Sequence, residues 1–382
     1  MTQHFSTAEY AVRKAQATKT LNDEGLDALL MFAPESHYWI CGYDTFGFAM
    51  FQCLVLTAAG DLHLLTRNPD LRQARLTSTL DDEHIHIWDD IEGVNPASNL
   101  ADLLVKLGIT GRIGFESDTA GLTYRNGQAL RAVIPDLIDA SDLIRAERRL
   151  KSKAEIAMHR RAAELSDDAL DAGLAVTRSG AFEGDILAAM QGAVFKGGGD
   201  YAGNEFIIGS GKGALLCRYY SGRRHLSTND QLTLEWSGTY ARYHAAMMRT
   251  VIVGEPSQNH RKMHAACVEA IEACEAAIRP GAPMGDVFDA HARVFDAHGY
   301  GHARLKACGY GMGAVYNPIW VDFPMFYEGN PLKMQAGQVF FLHMILMDSD
   351  SGDAMTLGHS VLVTPKGIER LSRHGLEMIV QP

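Results

Sequence analysis

Residues 229–256 read NDQLTLEWSGTYARYHAAMMRTVIVGEP. β-Branched, aromatic and other apolar residues dominate without helical spacing, so the segment reads as long strands. It also carries a carboxylate, Glu235, inside the apolar run LTLEW, where an unpaired charge is costly to bury. Further strand-like runs show the same apolar character, namely EFIIGSG at 205–211, QVFFLHMILM at 338–347 and SVLVTPKGIERL at 360–371. Between them, KMHAACVEAIEACEAAI (262–278) and GDVFDAHARVFDAHG (285–299) are amphipathic helices. Long antiparallel strands beside helices make this half an α+β domain.

Toward the N terminus the pattern changes. STAEYAVRKAQATKTLNDEG (6–25) is a helix with Ser6 or Thr7 as its cap and Gly25 as its stop. LDALLMFA (26–33) is a short buried strand, and MFQCLVLTAAGDLHLLT (50–66) is two strands around the turn Ala59-Gly60-Asp61. EHIHIWD (83–89) alternates as a strand does. NLADLLVKLGI (99–109) and LTYRNGQALRAVIP (122–135) are helices on either side of the strand GRIGFES (111–117). Strands alternating with helices give an α/β domain. The junction falls in the charged stretch near residues 148–152, giving domains at 1–148 and 149–382.

The bulk properties bound the function. A chain of 382 residues is long for one core, which favours two domains. The formal net charge of −11 repels phosphate backbones, so nucleic acid is an unexpected partner. The six cysteines show no C-x-x-C or zinc-ribbon spacing. The opening MTQHFSTAEYAVRKAQ has no apolar core of a signal peptide, and no apolar run approaches the roughly 20 residues of a membrane span. The expectation is a cytoplasmic protein without membrane or nucleic-acid partners.

Seven stretches, taken in order, resemble the creatinase/aminopeptidase ("pita-bread") family: RLKSKAEIAMHRRAAELSD (149–167), GNEFIIGSG (203–211), the opening segment 229–256, AIRPGAPMGDV (277–287), CGYGMG (308–313), MQAGQVFFLH (334–343) and GHSVLVTPKGIERL (358–371). STAEYAVRKAQ (6–16) and YWICGYDTFGF (38–48) resemble the N-terminal domain of its creatinase branch. The resemblance implies a pita-bread C-terminal domain behind an α/β creatinase-type N-terminal domain. It also implies a homodimer in which the N-terminal domain of one subunit, with Phe46 and Phe48, reaches over the site of the other.

Peptidases of the family hold two metal ions with two Asp, one His and two Glu. Carried over by local motif, these positions fall on Glu235, Ala246, Tyr310, His343 or its neighbour, and Gly358 beside His359. Ala246, Tyr310 and Gly358 cannot supply the anionic oxygens that two divalent ions require. The expectation is therefore no metal cofactor, as in the branch of creatinase and the ectoine hydrolases, which share the Glu at 235, the pair Tyr243-His244 and the Tyr at 310. Those relatives also place a catalytic His where this chain has Arg218.

The residues themselves suggest chemistry. A buried Glu235 has a raised pKa unless a cation is near, which suits a nucleophile or a general base; the structural alternative is an ion pair with Arg249. His343 and His359 lie on strands expected to be neighbours and could shuttle a proton. With Glu235 they could also form a mononuclear metal site. Tyr310 could hydrogen-bond a developing oxyanion. Arg218, in the loop CRYYSGRR (217–224), could clamp a substrate carboxylate. His244, Trp236 and Trp320, together with Phe46 and Phe48, are candidates to line a pocket for a small cationic or zwitterionic solute. The leading expectation is a hydrolase cleaving a C–N bond of a small nitrogen-containing compound: a cyclic amidine, an amide or a guanidino acid. A metal-dependent peptidase-like hydrolase, a lyase of the dimethylsulfoniopropionate type with a rebuilt site, and a non-catalytic binding protein are the alternatives.

Overall fold

The computed structural model describes residues 3–219 and 222–382. The chain divides into two compact units, Met1–Arg148 and Arg149–Pro382.

In the first unit, α1 (Thr7–Asp23) starts where the Ser6 hydroxyl accepts from the Glu9 amide and ends before Gly25 in the left-handed region. It is followed by β1 (Ala28–Met31), α2 (Pro34–Cys41), β2 (Cys53–Thr57), β3 (Leu62–Arg67), α3 (Leu71–Thr77) and β4 (Ile85–Trp88). The unit ends with α4 (Pro96–Lys106), β5 (Ile113–Phe115), α5 (Tyr124–Val133), β6 (Leu137–Asp139) and α6 (Asp142–Glu147). The strands form one mixed sheet in the order β4-β3-β2-β1-β5-β6. On the central strand β1, Leu29 and Met31 join one apolar cluster while Ala28 and Leu30 join another, so both faces are covered. Helix α2 has no counterpart in the sequence reading. Ser36 through Cys41 are all buried, so no polar face marks it as a helix.

In the second unit, α7 (Lys153–Val176) opens with a capping box in which Ser152 and Glu155 satisfy each other's amides. Then come α8 (Glu183–Lys196), β7 (Ile207–Ser210), β8 (Asp230–Tyr240), β9 (Tyr243–Val253), α9 (Gln258–Ala277) and α10 (Gly285–Ala297). The strands β10 (Ala307–Gly311), β11 (Asp322–Tyr327), β12 (Val339–Asp348), β13 (Asp353–Thr364), β14 (Gly367–Arg370) and β15 (Ile379–Gln381) complete it. The opening segment forms the β8–β9 hairpin, whose two turn residues Ala241 and Arg242 both have positive φ, as a tight hairpin requires. The main sheet runs β11-β10-β12-β13-β9-β8-β7. Its halves meet at only two paired positions, Leu357↔Arg249 and Gly358↔Met248. Among the described residues no helix is long and apolar enough to cross a membrane.

One face of β8 lies tight against α7. A Cβ on Gly238 would sit 2.0 Å from the Ala162 carbonyl oxygen and 2.4 Å from the Ser166 amide nitrogen. Alanine ordinarily suits a strand interior better than glycine. Here Gly238→Ala should instead destabilise by about 3 kcal/mol, because backbone must move. Urea unfolding checks this, and a neutral or stabilising result would contradict the close approach.

Candidate active site

The paired registers place four residues on one rung across the junction of the two half-sheets. Glu235 pairs with Met248, Met248 with Gly358, and Gly358 with His343. Directly paired residues point to the same face, so Glu235 and His343 look out from the same side. Tyr310 pairs with Phe341, two residues from His343, and its ring centroid lies 5.6 Å from that of His343. The Tyr310 hydroxyl also comes close enough to the Glu235 carboxyl to favour its ionised form. Strand β10 is separated from β8 by β12, β13 and β9, about 19 Å in a flat sheet. A Tyr and a Glu cannot span that distance, so the sheet curls and the two halves face each other over this pair.

Trp320 orients the contact. Its indole N–H donates to the Tyr310 oxygen at 2.8 Å, and its own amide is held by the Asn204 side chain at 3.0 Å. Indole is a donor only, so the Tyr310 hydroxyl proton is left for Glu235.

Burial pushes the Glu235 carboxyl up to about 7; the charge of Arg218 and the Tyr310 hydroxyl pull in the other direction and leave it there. Burial also raises the Tyr310 hydroxyl well above its usual value, so it acts as a neutral donor. His343 is driven down to about 4 by burial and is a neutral imidazole. Among the described residues its Nδ1 has no hydrogen-bond partner. Arg249 does not neutralise Glu235. It pairs with Leu234 on the other face of β8 and donates to the Met248 and Gly358 carbonyls at 2.8 and 2.6 Å.

Arg218 is exposed, and its charge reaches Glu235, Tyr310 and His343. Its loop is tied down by Glu183, a residue the sequence reading missed. The buried Glu183 carboxylate accepts from the Ser210 amide and hydroxyl at 2.8 and 2.6 Å, and from the Arg223 and Arg224 amides at 2.8 and 3.0 Å. One carboxylate thus holds the chain before and after Arg218. At the start of α8, Glu183 looks in sequence like an ordinary complement to the helix dipole, which hides this role.

Several expected members lie elsewhere. β12 and β13 are neighbours, but His359 pairs with Leu342 and not with His343, so it points to the opposite face. There its Nε2 meets Glu275 of α9 at 2.7 Å. Trp236, next to Glu235 on a strand, also faces away; its indole donates to the Ser166 carbonyl of α7 at 2.9 Å. His244 shares the face of Glu235 but sits four residues along the hairpin, opposite Thr239. Both its ring nitrogens are engaged, Nε2 accepting from the Gly203 amide and Nδ1 meeting the Arg242 carbonyl, each at 2.8 Å. Phe46 and Phe48 belong to the first unit, where Phe46 is 80% exposed. Burial raises the thiols of Cys217 and Cys308, so neither is poised as a thiolate.

The donors on this face do not fit two divalent ions. The rung offers one carboxylate and one imidazole. At Gly358 an added Cβ would meet ring carbons of Phe341 at 2.9 and 3.0 Å, so aromatic carbon fills the space of a further ligand. The combination of Glu235, His343 and His359 is not assembled, because His359 is on the other face. Among the described residues, three ligand atoms come together only at His302, Asp348 and Asp350, at the far end of β12.

The metallopeptidase family M24 model matches residues 157–365, and the creatinase/prolidase N-terminal domain model matches residues 13–150. The chain belongs to metallopeptidase family M24. Members similar to it along nearly their whole length include an uncharacterised hydrolase/peptidase of Sinorhizobium fredii, 28% identical over 99% of both chains. An ectoine hydrolase of Halomonas elongata is 26% identical over 99% of this chain and 98% of its own. Among solved structures, a prolidase from Thermococcus sibiricus superposes with a TM-score of 0.88 at 20% identity, covering 98% of this chain and all of that one. The fold is therefore the pita-bread fold of the M24 enzymes, and the chain is a hydrolase of that family.

Because the folded state resists ionising Glu235, it loses stability as pH rises through the range from 4.5 to about 7. Glu235→Gln removes that loss. The variant should gain on the wild type as pH rises, by up to about 3 kcal/mol on the plateau above neutrality. Paired urea titrations at several pH values measure the difference, and a pH-independent gap would contradict the assignment.

Proposed function

We propose that this M24 member hydrolyses a C–N bond of a small nitrogen-containing solute, such as a cyclic amidine, an amide or a guanidino acid, without a dinuclear metal centre. The observation that carries the reading is a single buried carboxylate, Glu235, held near neutrality within the field of a permanent cation, Arg218. A carboxyl poised at about 7 can take a proton from water and return it within one turnover. Similarity to an ectoine hydrolase along the full chain supports the same substrate class.

In this reading, Glu235 removes a proton from water as the water oxygen attacks the carbon of the C–N bond. The proton then passes to the leaving nitrogen as that bond breaks, and the carboxylate is restored. Tyr310, its lone pair occupied by Trp320, keeps the carboxylate oriented. His343, neutral and with an open Nδ1, is the second polar group that a substrate meets. Arg218 holds a substrate carboxylate and limits how far burial raises Glu235. The exposure of Phe46 on the first unit supports a homodimer in which it serves a second copy of the chain.

The test is a screen of chelator-treated protein against ectoine, creatine, hydantoins and X-Pro dipeptides, repeated with added zinc, manganese or iron. Turnover of a non-peptide solute without metal is expected. Activity confined to X-Pro dipeptides with restored metal would overturn the proposal. On the substrate found, Glu235→Gln should lower kcat by about 10²- to 10⁴-fold, the usual worth of a general base. Arg218→Ala should raise KM and move the acidic limb of the pH–rate profile to higher pH, because the cation that favours the ionised carboxylate is gone. Unchanged kcat in Glu235→Gln would remove Glu235 from the chemistry.

A further inference from the structure

Three histidines of the first unit lie together, far in sequence from the proposed active-site residues. In the parallel β3–β4 pairing, Leu64 aligns with Ile85 and Leu65 with His86. By the two-residue period of strands, His63 and His86 therefore share one face of the sheet, and His84 lies in the short turn Asp82–His84 that leads into β4. The His63 Nδ1 and His86 Nε2 atoms are 3.3 Å apart. The His84 ring lies 4.9 Å from the His63 ring, centroid to centroid, tilted by 39°. All three side chains are half-buried, which limits their freedom without sealing them off.

The pair distance has a specific meaning in coordination chemistry. Two imidazole nitrogens at about 2.05 Å from a tetrahedral ion are about 3.3 Å apart. Two of the donors are thus already at the separation that one ion imposes. His84, whose ring lies beside that of His63, would complete the set by turning its half-buried side chain toward them. Burial lowers the basicity of both His63 and His86, the latter to about 4, so both present neutral rings with a lone pair available. Lys106 of α4 places a positive charge near both, and Asp61 offsets it near His63. His84 borders an open cleft of about 300 Å³ that is lined also by Asp61, Asp81 and Lys14, so acidic groups lie on its solvent side.

We propose that His63, His84 and His86 bind one divalent transition-metal ion of the zinc class, clipping β3 to the start of β4. Imidazole ligands favour zinc, nickel and copper over magnesium or calcium. The ion is a structural clip of the first unit and takes no part in the reaction proposed for the second.

The experiment uses full-length protein stripped with chelator and carrying His302→Ala, which disables the separate His302, Asp348 and Asp350 group. Calorimetric titration with zinc chloride is compared between this protein and the same protein carrying His63→Gln and His86→Gln, which retain hydrogen-bonding side chains. The first should take up one equivalent of zinc that the second lacks, or binds at least about ten-fold more weakly. Zinc should also raise the thermal midpoint of the first but not of the second. Cobalt(II) in place of zinc should give the intense visible bands of a tetrahedral site only in the first. Equal zinc uptake by the two proteins, or no uptake by the first, would overturn the proposal. Circular dichroism of the glutamine variant, matched to the parent, excludes misfolding as the cause of a loss.

Discussion

The guanidinium of Arg249 holds the large sheet together at its thinnest point. β9 and β13 share only two paired positions, and Arg249 occupies one of them. It donates to Met248 on its own strand and to Gly358 across the junction. Burial pulls its pKa down to about 10, so it is still charged at neutrality and bonds these carbonyls as a cation. The half-sheets that it joins contribute different parts of the site. Glu235 comes from one side, and Tyr310 and His343 come from the other. Without a fixed junction the approach of Tyr310 to Glu235 across the curled sheet would have no defined geometry.

A raised carboxyl is not in itself a mark of function, and the first unit shows why. Burial also pushes Glu116 up to about 7. Its oxygens, however, are taken by the Phe32 and Ala33 amides at 2.9 and 2.7 Å and by the Ser36 hydroxyl. Glu116 caps the start of α2 and faces protein on every side. Glu235 has, among the described residues, the Tyr310 hydroxyl close by, a neutral imidazole across the rung, and the exposed cation Arg218 within electrostatic reach. The distinction between the two residues lies in what remains unsatisfied around the carboxylate, and that remainder is what a substrate and a water can use.

Much of the site is legible in the sequence, and the failures have physical reasons. Glu235, Tyr310, His343 and Arg218 do converge, because each sits on a strand or loop with a recognisable local pattern. The β8–β9 hairpin is visible in its apolar run and its turn. The expectation for His359 fails because the neighbouring of β12 and β13 can be read from sequence but their register cannot, and a shift of one residue turns a side chain to the other face. Strand geometry alone separates Trp236 from Glu235, since adjacent residues on a strand necessarily point apart. The hold of Trp320 on Tyr310 depends on the path of an irregular segment that no periodicity announces. Glu183 resembles a routine helix start, and α2 lacks a polar face because it is buried all round.

The proposed chemistry depends on one carboxylate balanced between burial and the charge of Arg218. The most direct measurement is carbon-13 NMR of the protein labelled at glutamate side-chain carboxyls, with the Glu235 resonance assigned by its loss in Glu235→Gln. The expected titration midpoint is near 7 and moves higher when Arg218 is replaced by Ala. A midpoint at or below 4.5, or one indifferent to Arg218, would contradict that balance.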